Sequence, residues 1–140
     1  MLRAVLDANV FISAALRPQG PPGRIIKSFL SSGPFEIVLS DAIIEEVLNA
    51  FRYPKLQKRL PQDFSGERWF DNIAVLADLV AGEYEITGIS KDPDDDKYIA
   101  AAIEGRADFV VAGDSDLLSL KEYRGIRFVT PRAFLMLLPH

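Results

Sequence analysis

Short apolar runs of strand length alternate along this chain with helix-length amphipathic segments, and a carboxylate stands close behind several of the runs. Leu2–Leu6, Phe35–Leu39, Phe109–Val111 and Ile126–Val129 read as buried strands. Strands that alternate with helices predict an α/β fold, a parallel sheet with helices on both faces. Such a sheet gathers the carboxyl ends of its strands along one edge, where ligands bind. Asp7, Asp96, Asp114 and Asp116 follow strands or begin helices, so the fold brings them toward that edge. Like charges crowded there repel, and a bound hard divalent cation makes the crowding tolerable. The expected site takes Mg²⁺ or Mn²⁺ through oxygen ligands and retained waters.

Between the strands, Pro18, Gly20, Pro21, Pro22 and Gly23 break the chain before a short helix from about Arg24 to Leu30. Ser40 or Asp41 caps a helix whose stripe is Ile43, Ile44, Val47, Leu48 and Phe51. Arg52–Leu60 is basic and broken by Pro54. A further helix is expected over Glu67–Val80, and Tyr84–Ile86 reads as a short strand. Asp92-Pro93-Asp94-Asp95-Asp96 leads into a helix that runs through Ile103 and ends at Gly105. Thr130 caps a last helix with Pro131 at its first position. The 140 residues read as one domain, 1–140.

Of 20 acidic side chains, setting five candidate site acids aside leaves 15, against 16 basic ones. The net charge of −4 therefore belongs to the expected site, and a polyanionic partner such as nucleic acid is compatible with the remainder. The absence of cysteine excludes disulfides, thiolate zinc sites and a cysteine nucleophile. Met1–Asp7 meets a carboxylate too early for a signal peptide, and no apolar run has the length of a membrane span. A cytoplasmic protein is expected. The single histidine is the last residue, His140, a poor place for a catalytic base. Chemistry here must run on carboxylates, metal and water.

Each acid has a plainer alternative. Asp7 could be a turn residue, and Asn9 could cap the next helix or orient a carboxylate. Asp96 lies three, four and seven residues before Ile99, Ala100 and Ile103, in line with the buried helix face. The alternative is a solvated acidic first turn, the reading given to Asp94 and Asp95. Asp114 and Asp116 could form an Asp-rich turn that caps a helix near Leu117. Glu45 and Glu46 flank the stripe of their helix equally, and periodicity does not choose between them. Arg52, Lys55, Lys58 and Arg59, with Tyr53 among them and Arg68 beyond, could contact a phosphate backbone or form a solvated face.

These motifs, in this order, resemble the PIN domain family. Val5-Leu6-Asp7-Ala8-Asn9-Val10-Phe11-Ile12-Ser13 resembles the family's opening strand and Asp-x-Asn-Val motif. Ile37–Ser40 followed by Glu45-Glu46-Val47-Leu48 is similar to its second strand and glutamate-bearing helix. Asp96-Lys97-Tyr98-Ile99-Ala100-Ala101-Ala102 resembles its Asp-x-x-Ile-Ala helix, and Val110–Leu118 its acidic turn. Val129–Leu135 is similar to the closing motif of a bacterial branch akin to VapC, the toxins of toxin–antitoxin pairs.

The resemblance implies a three-layer α/β/α fold with a parallel five-stranded sheet in the order 3-2-1-4-5. It implies a Mg²⁺- or Mn²⁺-dependent ribonuclease and places the site glutamate on Glu46. Asp7, Asp96 and Asp114 would hold the metal, Asp116 and Glu46 would complete the acidic cup, and Asn9 and Ser13 would support it. Independently of the resemblance, the basic stretch of Arg52, Lys55, Lys58 and Arg59 could supply the positive charge that an acidic site needs to hold RNA. An antitoxin protein and a homodimer are the implied partners. Ala8 and Ala112 depart from the family, where hydroxyl residues are common, so weaker metal binding is expected. Two other readings stand beside this one. A non-catalytic PIN-like module would act through a partner. A haloacid-dehalogenase-type phosphatase would use Asp7 as nucleophile, although Asn9 stands where that enzyme needs an acid–base Asp.

Overall fold

A computed structural model describes residues 1–139; His140 lies outside the described residues. Six strands form one sheet in the order β3-β2-β1-β4-β6-β5. They are β1 (Leu2–Leu6), β2 (Phe35–Leu39), β3 (Asp78–Leu79), β4 (Phe109–Val111), β5 (Glu122–Tyr123) and β6 (Ile126–Val129). Five run parallel in the expected order. The sixth, β5, pairs antiparallel with β6. A two-residue turn joins β5 to β6, with Arg124 and Gly125 both at positive φ, +50° and +82°. Two positive φ angles are what a tight hairpin turn requires.

The helices are α1 (Ala8–Leu16), α2 (Pro21–Ser31), α3 (Asp41–Arg52), α4 (Pro54–Gln57), α5 (Gly66–Ala74), α6 (Asp96–Glu104), α7 (Ser115–Leu118) and α8 (Pro131–Leu137). None is long and apolar enough to cross a membrane. Ala4, Val5 and Leu6 of β1 are fully buried, as a central parallel strand covered on both faces must be. Aromatic edge contacts tie the layers together. Phe11 meets Phe70 at 5.1 Å between ring centroids, and Phe35 meets Phe134 at 5.0 Å. Phe134 and Leu138 are buried, whereas Met136 and Leu137 are exposed. At the opposite edge from the acids, the Arg3 guanidinium pairs with Glu36 and Asp78, stitching β1 to β2 and β3.

Three local expectations are corrected. Two helices, not one, separate β1 from β2, and α2 begins at Pro21 because proline is well suited to the first turn, where its missing N–H costs nothing. The helix expected over Glu67–Val80 ends at Ala74. Val75 and Leu76 are exposed, so no apolar stripe continues past that point. The third strand is Asp78–Leu79, beside Val38 and Leu39, rather than Tyr84–Ile86. Residues 84–86 lie in a loop between Gly82 and Gly88, both at positive φ. The backbone N–H groups of Gly82 and Tyr84 bond the Glu104 carboxylate instead of a neighbouring strand.

This topology decides where a site can form. The chain steps outward from β1 through β2 to β3, then returns to the other side of β1 as β4. The sheet therefore has its switch point between β1 and β4, and a crevice opens beyond their carboxyl ends. The register sets Leu6 beside Val111, and the Asp7 N–H donates to Val111 O at 3.0 Å.

Candidate metal centre

Asp7 is the first residue beyond β1 and the N-cap of α1. Its carboxylate accepts the Val10 N–H at 3.1 Å, and the residue is 3% exposed. Asp7, rather than Asn9, thus caps the helix. Burial pushes its pKa up to about 6; the backbone N–H groups of Val10 and Asn9 oppose the rise, and the charges of Asp114 and Glu46 add to it. Asn9 is exposed on the first turn of α1, and Ser13 lies half-buried one turn on, along the same face.

Asp114 is the N-cap of α7, just beyond β4, and accepts the Asp116 N–H at 2.9 Å. Oxygens of Asp114, Asp116 and Asp95 all lie within 4.8 Å of one another. Asp95 is the member not anticipated as part of the site. The expectation of a solvated first-turn acid fails there, because Asp95 is only 9% exposed while Asp94 is exposed. A 3-10 turn at Pro93–Asp95, capped by the Asp92 carboxylate on the Asp94 N–H, delivers Asp95 to the cup. A signal was available: Asp95 precedes Ile99 by four residues and so shares its helix stripe with Asp96.

Asp96 is buried but its carboxylate is directed elsewhere. It accepts the N–H of Gly88 at 2.9 Å and of Ser90 at 2.7 Å. Both of its oxygens thereby clamp the loop before α6. The structure gathers Asp114 and Asp116 with Asp95, sets Asp7 within their field, and gives Asp96 a loop to hold.

Glu46 of α3 is half-buried, whereas Glu45 is exposed. One Glu46 oxygen pairs with Lys97, and the other accepts the Tyr98 hydroxyl at 2.8 Å. The same Tyr98 oxygen accepts the Ala8 N–H at 3.1 Å. Burial raises the Tyr98 pKa, with the Ala8 N–H opposing and Glu46 adding to the rise. Ala8 and Ala112 are both buried, so the hydroxyls missing at those positions leave apolar methyl groups beside the acids.

The residues fit a hard cation. Their donors are all carboxylate oxygens, one from the turn before α6 and two from the turn after β4, a set suited to Mg²⁺ or Mn²⁺. Asp95 Oδ2 is buried with no hydrogen-bond partner among the described residues, an arrangement that costs free energy unless something else satisfies the oxygen. Its pKa rises to about 8, chiefly by burial and then through the neighbouring Asp114 carboxylate. Without a cation the cup therefore relies on a proton to reduce its charge.

The basic stretch is divided. Arg52 closes α3, and its Nε donates to the Glu67 carboxylate on α5 at 3.0 Å. Lys55 on α4, and Lys58 and Arg59 beyond it, are exposed and form no ion pair among the described residues. Tyr53 is 56% exposed between α3 and α4.

Comparisons with known proteins agree with this architecture. The uncharacterized protein MJ1680 of Methanocaldococcus jannaschii is 29% identical over 121 residues, covering 86% of this chain and 76% of that protein. A chain in the crystal structure of VapBC2 from Rickettsia felis, bound to a DNA fragment from their promoter, superposes with a TM-score of 0.60. That match covers 92% of this chain and 98% of the other at 12% identity, and so establishes a shared fold. Residues 3–116, from the first strand through the acidic turn, match the PIN domain. With the sheet order and the acids at the ends of β1 and β4, that match makes the chain a member of the PIN domain family.

Proposed function

We propose that this chain is a Mg²⁺- or Mn²⁺-dependent endoribonuclease and the toxin of a toxin–antitoxin pair. The observation that carries the reading is the convergence of Asp95, Asp114 and Asp116, with one orphaned buried oxygen, beyond the ends of β1 and β4. Membership of the PIN domain family and the fold shared with a VapBC2 chain support it.

Asp95, Asp114 and Asp116 would hold the metal, and Asp7 would face it from the end of β1. Asp96, first expected among the ligands, would act by clamping the loop that carries Asp95 into place. When bound, the cation supplies activation of water and charge neutralisation at the scissile phosphate. Glu46, fixed by Lys97 and Tyr98, would accept a hydrogen bond from the attacking water. Asn9 and Ser13 would face substrate or water from α1. Lys55, Lys58 and Arg59 would counter the repulsion between an acidic cup and a polyanion.

A protein antitoxin would be the partner, by likeness to VapBC2. A homodimer is the further family expectation; the exposed Met136 and Leu137 of α8 are candidates for its interface. The function is tested by incubating a mixed RNA pool with Mn²⁺, Mg²⁺ or EDTA, using the native chain and its Asp7→Asn and Asp95→Asn variants. Metal-dependent cleavage lost in both variants is expected. Equal cleavage by all three proteins would indicate a contaminating nuclease and leave the proposal without support.

A further inference from the structure

We infer that Tyr98 is a positioning residue of the acidic cup, its hydroxyl fixing the Glu46 carboxylate against the backbone that follows Asp7. The inference rests on the metal-dependent reading above and adds a residue to it. Tyr98 lies on α6 and is 2% exposed. Its oxygen accepts the Ala8 N–H at 3.1 Å and donates its proton to Glu46 Oε2 at 2.8 Å. One atom thus joins the β1–α1 junction, α3 and α6.

Packing alone does not call for a hydroxyl here, since phenylalanine would fill the same volume. A buried hydroxyl is costly unless bonded, and this one is bonded as both donor and acceptor. Ala8 is the first residue of α1, where a helix has no internal partner for its N–H. The phenol satisfies that donor and turns the strand end into an anchor for a side chain on another helix. Glu46 is held at its other oxygen by Lys97, whose ammonium also lies 5.8 Å from the centre of the Tyr98 ring. Neighbouring residues of α6 therefore grip both Glu46 oxygens, and the carboxylate meets an incoming cation or its waters in one preset orientation. A hydroxyl from α6 stands beside Ala8, where the side chain supplies none.

The test uses Tyr98→Phe, which keeps the ring and removes only the oxygen, with Mn²⁺ affinity read by calorimetry on the full chain. Glu46→Gln and the double variant are measured beside it. Melting in EDTA checks that each protein is folded. Tyr98→Phe is expected to weaken Mn²⁺ binding about tenfold, the scale of losing a hydrogen bond that orients a metal site. It is expected to lower kcat for RNA without raising KM. The double variant is expected to bind no more weakly than Glu46→Gln, because Tyr98 acts through that carboxylate.

Unchanged Mn²⁺ affinity in Tyr98→Phe would overturn the inference. So would additive losses in the double variant, which would mark the hydroxyl as merely structural. Should Tyr98→Phe fail to fold, Glu46→Gln alone decides, since unchanged Mn²⁺ affinity there leaves Tyr98 nothing to position. A native chain that binds no Mn²⁺ would remove the metal reading itself and this role with it, an outcome distinct from native binding that Tyr98→Phe leaves intact.

Discussion

The carboxyl groups of Asp95 and Asp114 face one another beyond the end of β4, and their pKa values move in opposite directions. Burial, then Asp114, pushes Asp95 up to about 8. Asp114 is held low by the neighbouring Asp95 carboxyl and by the Asp116 N–H. One proton between two acids is the metal-free solution to crowding, and a divalent cation is the alternative.

That relationship fixes a pH dependence. Asp7 and Asp95 have folded-state pKa values raised above the ordinary value, to about 6 and about 8. Their contribution to stability is full below about pH 4 and is lost as pH rises through those values. Asp114 works in the opposite sense, but only as pH falls below the ordinary carboxylate range. Between pH 5 and about 9 the metal-free protein should therefore lose stability, with Tm falling by roughly 5 °C or more. Mn²⁺ should remove the decline by replacing the proton. Melting curves in EDTA and in Mn²⁺ read this directly, and Asp95→Asn should flatten the EDTA curve. An EDTA profile that is flat for the native chain would show that the cup is not crowded as described.

Adjacent aspartates should separate metal binding from loop holding. Asp95 brings one oxygen to the cup and has a buried Oδ2 with no partner among the described residues, whereas Asp96 engages Gly88 and Ser90 through its two oxygens. Asp95→Asn should keep or raise the Tm in EDTA and cost at least about tenfold in Mn²⁺ affinity. Asp96→Ala should lower stability by about 2–3 kcal/mol, because it strands backbone donors that had a charged acceptor. Its loss of metal affinity should follow from the loosened loop. Calorimetry and melting on both variants decide the matter. A larger loss of Mn²⁺ affinity in Asp96→Ala, with no loss of stability, would return the ligand role to Asp96.

Much of this was legible because short parallel strands are nearly continuous apolar runs. Leu2–Leu6, Phe35–Leu39, Phe109–Val111 and Ile126–Val129 all match strands to the residue, and Asp7 and Asp114 follow from where strands end. β3 was not legible, since Asp78–Leu79 is two exposed residues held by pairing with β2 rather than by any pattern of its own. β5 was missed for a similar reason, although Arg124-Gly125 marks its turn. At the site, counting along α6 shows which residues face inward, and both Asp95 and Asp96 do. It does not show that Gly88 and Ser90 engage one of them. That Glu46 rather than Glu45 is engaged by other elements is likewise a tertiary matter, set by Lys97 and Tyr98 arriving from α6.

The basic stretch yields a prediction that treats its members differently. Lys55 and Lys58 are exposed and form no ion pair among the described residues. Lys55→Glu with Lys58→Glu should weaken RNA binding at low salt and reduce the salt dependence by about two ionic contacts, with little change in Tm. Arg52 pairs with Glu67, but both side chains are about half exposed, so Arg52→Ala should cost no more than about 1 kcal/mol. Filter binding across a salt series separates these effects. RNA affinity unaltered by the double charge reversal would exclude this face as the substrate path.

The turn between α1 and α2 supplies a prediction about stability alone. A Cβ at Gly23 would lie 2.2 Å from Pro18 O and 2.5 Å from Pro18 C, both backbone atoms that cannot rotate away. The only relief is to move α2 from α1, which opens the contacts of Ile25 and Ile26 in the core. Gly23→Ala should therefore destabilise the fold by about 2–3 kcal/mol, as overpacking does. Gly113, in the acidic turn, is the control: a Cβ there meets nothing within 4 Å, and its φ lies outside the left-handed region. Gly113→Ala should stay within about 0.5 kcal/mol of the native chain. Urea melts of the two variants give both numbers. Equal stability would mean that the α1–α2 junction is looser than the close approach of Gly23 to Pro18 implies.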